Sequence, residues 1–343
     1  MLLGGKGRFG LPTLALAATM ILASAAWAAH EMRDWVMEFP LTDFDHHSID
    51  LDEIVTDGPR RDTITPIHQP RFVDVASDGE VGPWEPVLSV EIDGDARAYP
   101  LRILLYHEIV NDTVGGVPVL VSYCPLCNSG VVFDRRLDGA TLDFGNTGRI
   151  RHFDMVMYDH QTESWWQQFL GEAIVGALTG RTLRPVPARL ESLERFRARA
   201  PQGRLLVPND RRARDYGVTP YVGVDSRGYR TALPYPLPAG LAPLARVVVV
   251  GDEAWTLDLL RQHGTVEHGD LVLTWRPGQN SIHDAPVIAR GRDVGNVVVQ
   301  RRLADGRLTD MPYDVAFAFA FAAFRPDGRF HLELAGTEGP AVR

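Results

Sequence analysis

The sequence predicts an α+β fold that is predominantly β, built as two β-rich halves joined by a proline-rich connection. Three observations carry this expectation. Short runs alternate apolar and polar residues between glycine turns, as in Leu88, Val90 and Ile92 before Asp93-Gly94. Helical patterning is confined to brief segments such as Leu101 to His107. Elements of the first half also recur in order in the second: Leu101-Arg102-Ile103-Leu104-Leu105 resembles Leu257-Asp258-Leu259-Leu260-Arg261, and Val119-Leu120-Val121 matches Leu271-Val272-Leu273. The turn Cys124-Pro125-Leu126-Cys127-Asn128-Ser129 aligns with Arg276-Pro277-Gly278-Gln279-Asn280-Ser281. An ancient duplication and chance similarity between two β-rich stretches both account for this. Under duplication, the cysteines were kept only in the first copy.

Residues 1–28 read as a secretory signal peptide. Lys6 and Arg8 give a positive start, Leu11 to Ala23 an apolar run, and Ala26-Trp27-Ala28 the small residues at a cleavage site. The alternative is a retained N-terminal anchor, for which the apolar run is short. His30 would become a terminal copper ligand only if cleavage fell after Ala29, which would place Trp27 where a small residue is wanted. Residues 29–85 carry scattered prolines and His46-His47 and read as an irregular leader.

Residues 86–200 form the first β-rich half. After the Asp93-Gly94 hairpin, Pro100 opens a helix, since proline fits the first helical position. Gly115-Gly116 turns the chain into a strand ending near Tyr123, and the two cysteines follow. Val131 to Phe133 and Met155 to Tyr158 read as strands, with a hairpin turn at Asp138-Gly139 between them. Leu190 to Ala200 reads as a surface helix with Arg195, Arg197 and Arg199 solvated. The proline-rich connection spans 201–243, and the second β-rich half spans 244–343, its patterning starting at Val247.

The composition excludes several chemistries. The formal net charge is −9, and removing Lys6 and Arg8 with the signal peptide takes it to −11. An acidic mature chain argues against a nucleic-acid partner. Lys6 is the only lysine, so the mature protein has no Schiff-base or lysine-nucleophile chemistry. No G-x-S-x-G, H-E-x-x-H or Walker A pattern occurs. No segment after the signal peptide is long and apolar enough to span a membrane, which leaves a periplasmic or secreted protein.

Only two cysteines occur, three positions apart. A bridge inside C-x-x-C closes too short a loop to stabilise much by chain entropy, so stapling alone explains the pair poorly. Two thiols on one tight turn can form a reversible disulfide or hold one soft metal ion. The strand-turn-strand context resembles a rubredoxin or zinc-ribbon knuckle, yet four cysteines are not available. Histidine or carboxylate must complete any metal site, and His107 in Tyr106-His107-Glu108 is the leading candidate beside a buried structural histidine as its alternative. His152 and His283 are weaker candidates, expected at the surface. Glu108, Asp112, Asp134 and Asp159 are acid-base candidates that could equally be caps. Tyr158, Trp165 and Trp166 read as aromatic core packing rather than a pocket wall.

The segments Ala98 to Leu104, His107 to Asp112, Tyr123 to Cys127, Val132 to Arg135, Met157 to Asp159, Thr162 to Trp166, Gly180 and Tyr313 to Phe319 together resemble the bacterial family of unknown function DUF3179. The resemblance implies little about function beyond an expectation that some members are selenoproteins with selenocysteine in the C-x-x-C region, which would favour a redox role. Two residues depart from the family pattern, Tyr106 before the histidine and Asn128 where glycine is common. Asparagine tolerates the left-handed conformation, so the turn need not be lost.

Three functions follow from these residues. In the first, a thiol-redox or metal-assisted redox protein, Cys124 attacks, Cys127 resolves, His107 is base or third ligand and Glu108 orients it. Its partner would be an unidentified redox protein or small molecule. In the second, a non-catalytic carrier, His107, Cys124 and Cys127 hold one copper or zinc ion. The third is a β-rich interaction protein with a structural C-x-x-C.

Overall fold

The computed structural model describes residues 32–55, 58–226 and 235–334. The signal-peptide segment 1–28 and His30 lie outside the described residues. Strand outweighs helix by 40% to 16%, which makes the chain mostly β, and its sheets stand in a propeller-like arrangement.

Two of the sheets share one connectivity. In the first, the hairpin Pro86–Ile92 and Asp95–Pro100 is flanked by Ala188–Ser192, antiparallel to its first strand, and by Arg204–Val207, parallel to its second. In the other, the hairpin Arg246–Val250 and Glu253–Thr256 is flanked in the same senses by Asp314–Phe317 and Arg329–His331. Each hairpin runs into a seven-residue helix, Leu101–His107 or Leu257–His263. Leu101, Leu104 and Leu105 fall at helical spacing and are buried, so packing holds a helix too short to persist alone.

After each helix comes a second antiparallel sheet. Ile109–Val114, Val117–Cys124 and Ser129–Asp134 form it in the first half, Thr265–His268, Leu271–Arg276 and Asn296–Arg302 in the second. Pairing sets Ser122 opposite Ile109 and Thr274 opposite Thr265, so Cys124 and Arg276 occupy matched strand ends. A further sheet runs through Phe144–Arg151, Asp154–Asp159, Trp165–Gln167 and Glu172–Val175. One apolar cluster joins the halves, with Leu104 and Tyr123 beside Trp255, Leu260, Ile282 and Val315. At about 1.5–3 kcal/mol for each large apolar side chain withdrawn from water, this shared cluster fixes one half against the other.

Several segments differ from expectation. Residues 32–38 are helical, and Trp35, Phe39 and Phe44 pack with Tyr158 and Trp165, so aromatic burial anchors the supposed irregular leader. Arg204–Val207, from within the proline-rich segment, joins the first sheet beside Asp95–Pro100, and Arg71–Asp74 pairs with it as the edge strand. The expected helix Leu190 to Ala200 divides into the strand Ala188–Ser192 and the helix Leu193–Arg199. Two of its arginines are tied down: Arg199 reaches Glu91 and Glu191, and Arg197 reaches Asp78. Among the described residues no helix is long and apolar enough to cross a membrane.

Candidate metal centre at the cysteine turn

The strand Val117–Cys124 ends where Pro125 breaks its ladder, and Cys127 comes back beside Cys124 before Ser129 resumes pairing. Asn128 makes the return in the left-handed region, at φ +56°. Tyr123 Oη donates to Asn128 Oδ1 at 3.0 Å, and Asn128 Nδ2 donates to the Val315 carbonyl at 2.6 Å. The backbone N–H of Phe317 donates to the Cys127 carbonyl at 2.9 Å. A strand of the second half therefore staples the turn.

His283 holds the turn from the other side. It is fully buried, against the expectation of a surface site, because the turn and the Arg276–Ser281 segment meet in the interior. Arg246 Nη2 stands 3.2 Å from its Nδ1, and a guanidinium only donates, so the ring proton sits on Nε2. Nε2 then donates to the Pro125 carbonyl at 2.8 Å. Burial, and then the charge of Arg246, press the His283 pKa down to about 4, so the clamp keeps one neutral tautomer at physiological pH.

The third group at the thiols is Asp154. The hairpin before it turns on His152 at φ +53° and Phe153 at φ +63°, a type I′ geometry normally given to asparagine and glycine. Holding two side-chain-bearing residues there is strained, and it aims the first residue of Asp154–Asp159 inward. Asp154 Oδ1 lies 3.1 Å from Cys127 Sγ. Its other oxygen accepts from Gln167 Nε2 at 2.6 Å and from the Phe169 N–H at 2.9 Å. One ligand atom from each of Cys124, Cys127 and Asp154 lies within 4.8 Å of the others, and all three residues are buried.

Glu108 sits beside this group. It caps the helix Leu101–His107 at φ +56° and accepts from Asn146 Nδ2 at 2.6 Å. Burial raises the Glu108 carboxyl to about 8, with the charge of Asp154 adding to it. Burial likewise lifts Asp154 to about 6 and raises both thiols, Cys127 the more, with Asp154 adding to each. Among the described residues no cationic side chain forms an ion pair with Glu108 or Asp154. Four acidic groups thus share one dry patch, and their proton affinities rise together because nothing positive offsets them.

The expected set of His107 with the two cysteines does not form. His107 Nδ1 is 2.8 Å from the Thr65 carbonyl and its Nε2 is 2.8 Å from Tyr216 Oη, so both ring nitrogens are engaged elsewhere. Glu108 accordingly meets Asn146 and does not orient His107. The other candidates have structural partners: Asp112 pairs with Arg97, Asp134 with Arg136 and Arg184, and Asp159 accepts from Thr162 and Trp166. His152 lies near Glu53, and Tyr158, Trp165 and Trp166 are core aromatics.

A family model described as a protein of unknown function, DUF3179, matches residues 61–328. The chain belongs to the DUF3179 family. No curated protein and no solved structure matches it. The matched region of this DUF3179 protein contains Cys124, Cys127, Asp154 and Glu108, the whole of the buried acidic patch. DUF3179 membership names no reaction, so the chemistry must come from the patch itself.

Proposed function

We propose that the protein binds a thiophilic divalent metal ion, zinc being the best match, through Cys124, Cys127 and Asp154. The convergence of these three ligand atoms in a buried patch that holds no paired cation carries the reading. Thiolate, thiolate and carboxylate are a zinc donor set, and the hard carboxylate oxygen disfavours Cu(I). Metal would replace the protons that burial otherwise keeps on the thiols and Asp154. Three anionic ligands on a dication leave one negative charge, which favours keeping Glu108 protonated. The fourth position faces a site with almost no solvent exposure, which supports a storage, carrier or structural role over turnover. The export read from residues 1–28 belongs to the same proposal.

A second reading, thiol–disulfide exchange, has one contact in its favour. Asp154 Oδ1, 3.1 Å from Cys127 Sγ, is placed to take that thiol's proton. Against it stand two buried thiols with raised pKa values, where exchange needs an accessible thiolate.

The test is elemental analysis with thiol titration on the chain purified from an exporting host without a histidine tag. One thiol-protecting zinc, lost with Cys124→Ser, Cys127→Ser or Asp154→Asn, is the expected result. A chain that takes up no zinc on addition, and releases two thiols only after reduction, would replace this reading with the redox pair.

A further inference from the structure

A second cluster of ligand-type residues lies in the other half of the molecule. Glu253 and Trp255 alternate along Glu253–Thr256 and so share a face of their sheet. Parallel pairing sets His331 beside Trp255, and the two rings stack at 4.7 Å and 6°. His268, from the last position of Thr265–His268, closes the group, its ring 5.5 Å from that of Trp255. His268 Nε2 is 3.3 Å from Glu253 Oε2, and His331 Nε2 is 3.6 Å from Glu253 Oε1.

Ordinary hydrogen bonding explains these separations poorly. Both exceed the usual N–H···O range of about 2.7–3.2 Å. Among the described residues, buried His331 Nε2 has no partner at ordinary hydrogen-bond distance, Glu253 Oε1 lying 3.6 Å away. Ligands at about 2.0–2.1 Å from a tetrahedral zinc lie about 3.3 Å apart, close to what is found here.

The first sheet shows what ordinarily fills this place. Arg97, at the strand position matching Glu253, donates to both oxygens of Asp112 at 2.7 and 2.8 Å, and Asp112 matches His268. Tyr99, matching Trp255, donates to Asp112 at 2.6 Å. There a guanidinium supplies the positive charge. In the second sheet a carboxylate and two imidazoles occupy the same region.

We propose that Glu253, His268 and His331 form a second metal site, independent of the cysteine centre, for a borderline divalent ion such as zinc. With three protein ligands and a partly exposed His268, it keeps a position open to water or a small anionic ligand.

Cobalt(II) titration of the full chain, read by absorption and by tryptophan fluorescence, tests this. The variant Cys124→Ser/Cys127→Ser removes the thiolate charge-transfer band of any cysteine-bound cobalt. It should still bind one equivalent, giving d–d bands without that charge transfer and quenching Trp255. His268→Ala and, separately, Glu253→Gln should abolish that equivalent while leaving near-ultraviolet circular dichroism unchanged. In otherwise wild-type protein these two variants should keep any thiolate band, so failure of one centre is distinguishable from failure of the other. A double-cysteine variant that folds and binds no cobalt, or binding that persists in both His268→Ala and Glu253→Gln, would overturn the proposal.

Discussion

The helix Leu101–His107 is capped by Glu108 at φ +56°, and its counterpart Leu257–His263 by Gly264 at φ +69°. Glycine is the ordinary residue for a left-handed cap, and a glutamate there is strained by about 1–3 kcal/mol. The half that carries the cysteines is the half that accepts this strain. The same contrast holds one strand later, where Cys124 stands in one half and Arg276 in the other. Two equivalent frames thus differ in chemistry through a few exchanges at matched positions. Those exchanges sit where backbone or burial makes them costly.

The largest expected effect on this comparison comes from the thiols. In the zinc-loaded protein, Cys124→Ser/Cys127→Ser should lower the thermal midpoint markedly, because bound metal stabilises by mass action and the variant loses it. In a His268→Ala background, where the cysteine site alone is filled, chelated protein should fall to about the midpoint of the cysteine variant, and differential scanning calorimetry of both, with and without chelator, checks this. Asp154→Asn comes next. It keeps the shape but removes the third anionic ligand, so zinc affinity should drop by at least about tenfold, as competition with a chromogenic chelator would reveal.

Glu108 gives a pH signature. Its folded pKa of about 8 lies above the ordinary glutamate value of 4.5, so the folded state holds the extra proton between them. Stability of the metal-free chain should therefore be fullest below pH 4.5 for this group and fall as pH rises toward about 8. Glu108→Gln should lose that slope, so its advantage over wild type should grow across the interval. Urea unfolding at pH 5 and pH 8 checks it, and an unchanged difference would show that the carboxyl ionises as freely folded as unfolded.

The smallest effect is on the other cap. A Cβ on Gly264 would meet Arg276 Nη1 at 3.6 Å, an ordinary contact, so Gly264→Ala isolates the backbone term. It should destabilise by about 1 kcal/mol or somewhat more, measured by the same unfolding assay.

Local elements were legible because their causes are local. Asp93-Gly94 gave the hairpin, Pro100 and the leucine spacing gave the helix to His107, and the turn at Asn128 took the left-handed conformation that its side chain tolerates. The C-x-x-C also announced where the chemistry would be. Its third group was not legible, since Asp154 is brought to Cys127 across 27 residues by a hairpin turn that lacks the usual asparagine and glycine. Two consecutive positive-φ residues, His152 and Phe153, leave no compositional trace. His283 was misjudged for a related reason: its burial depends on two distant turns meeting. His107 looked favourable from proximity in sequence, but the helix it ends sends its ring to Thr65 and Tyr216.

X-ray absorption at the zinc edge tests the central claim most directly, on protein carrying His268→Ala so that the cysteine site alone is occupied. Two sulfur scatterers at about 2.3 Å with oxygen scatterers near 2.0–2.2 Å are the predicted shell. A zinc shell without sulfur, or a chain that retains no zinc at all, would contradict it.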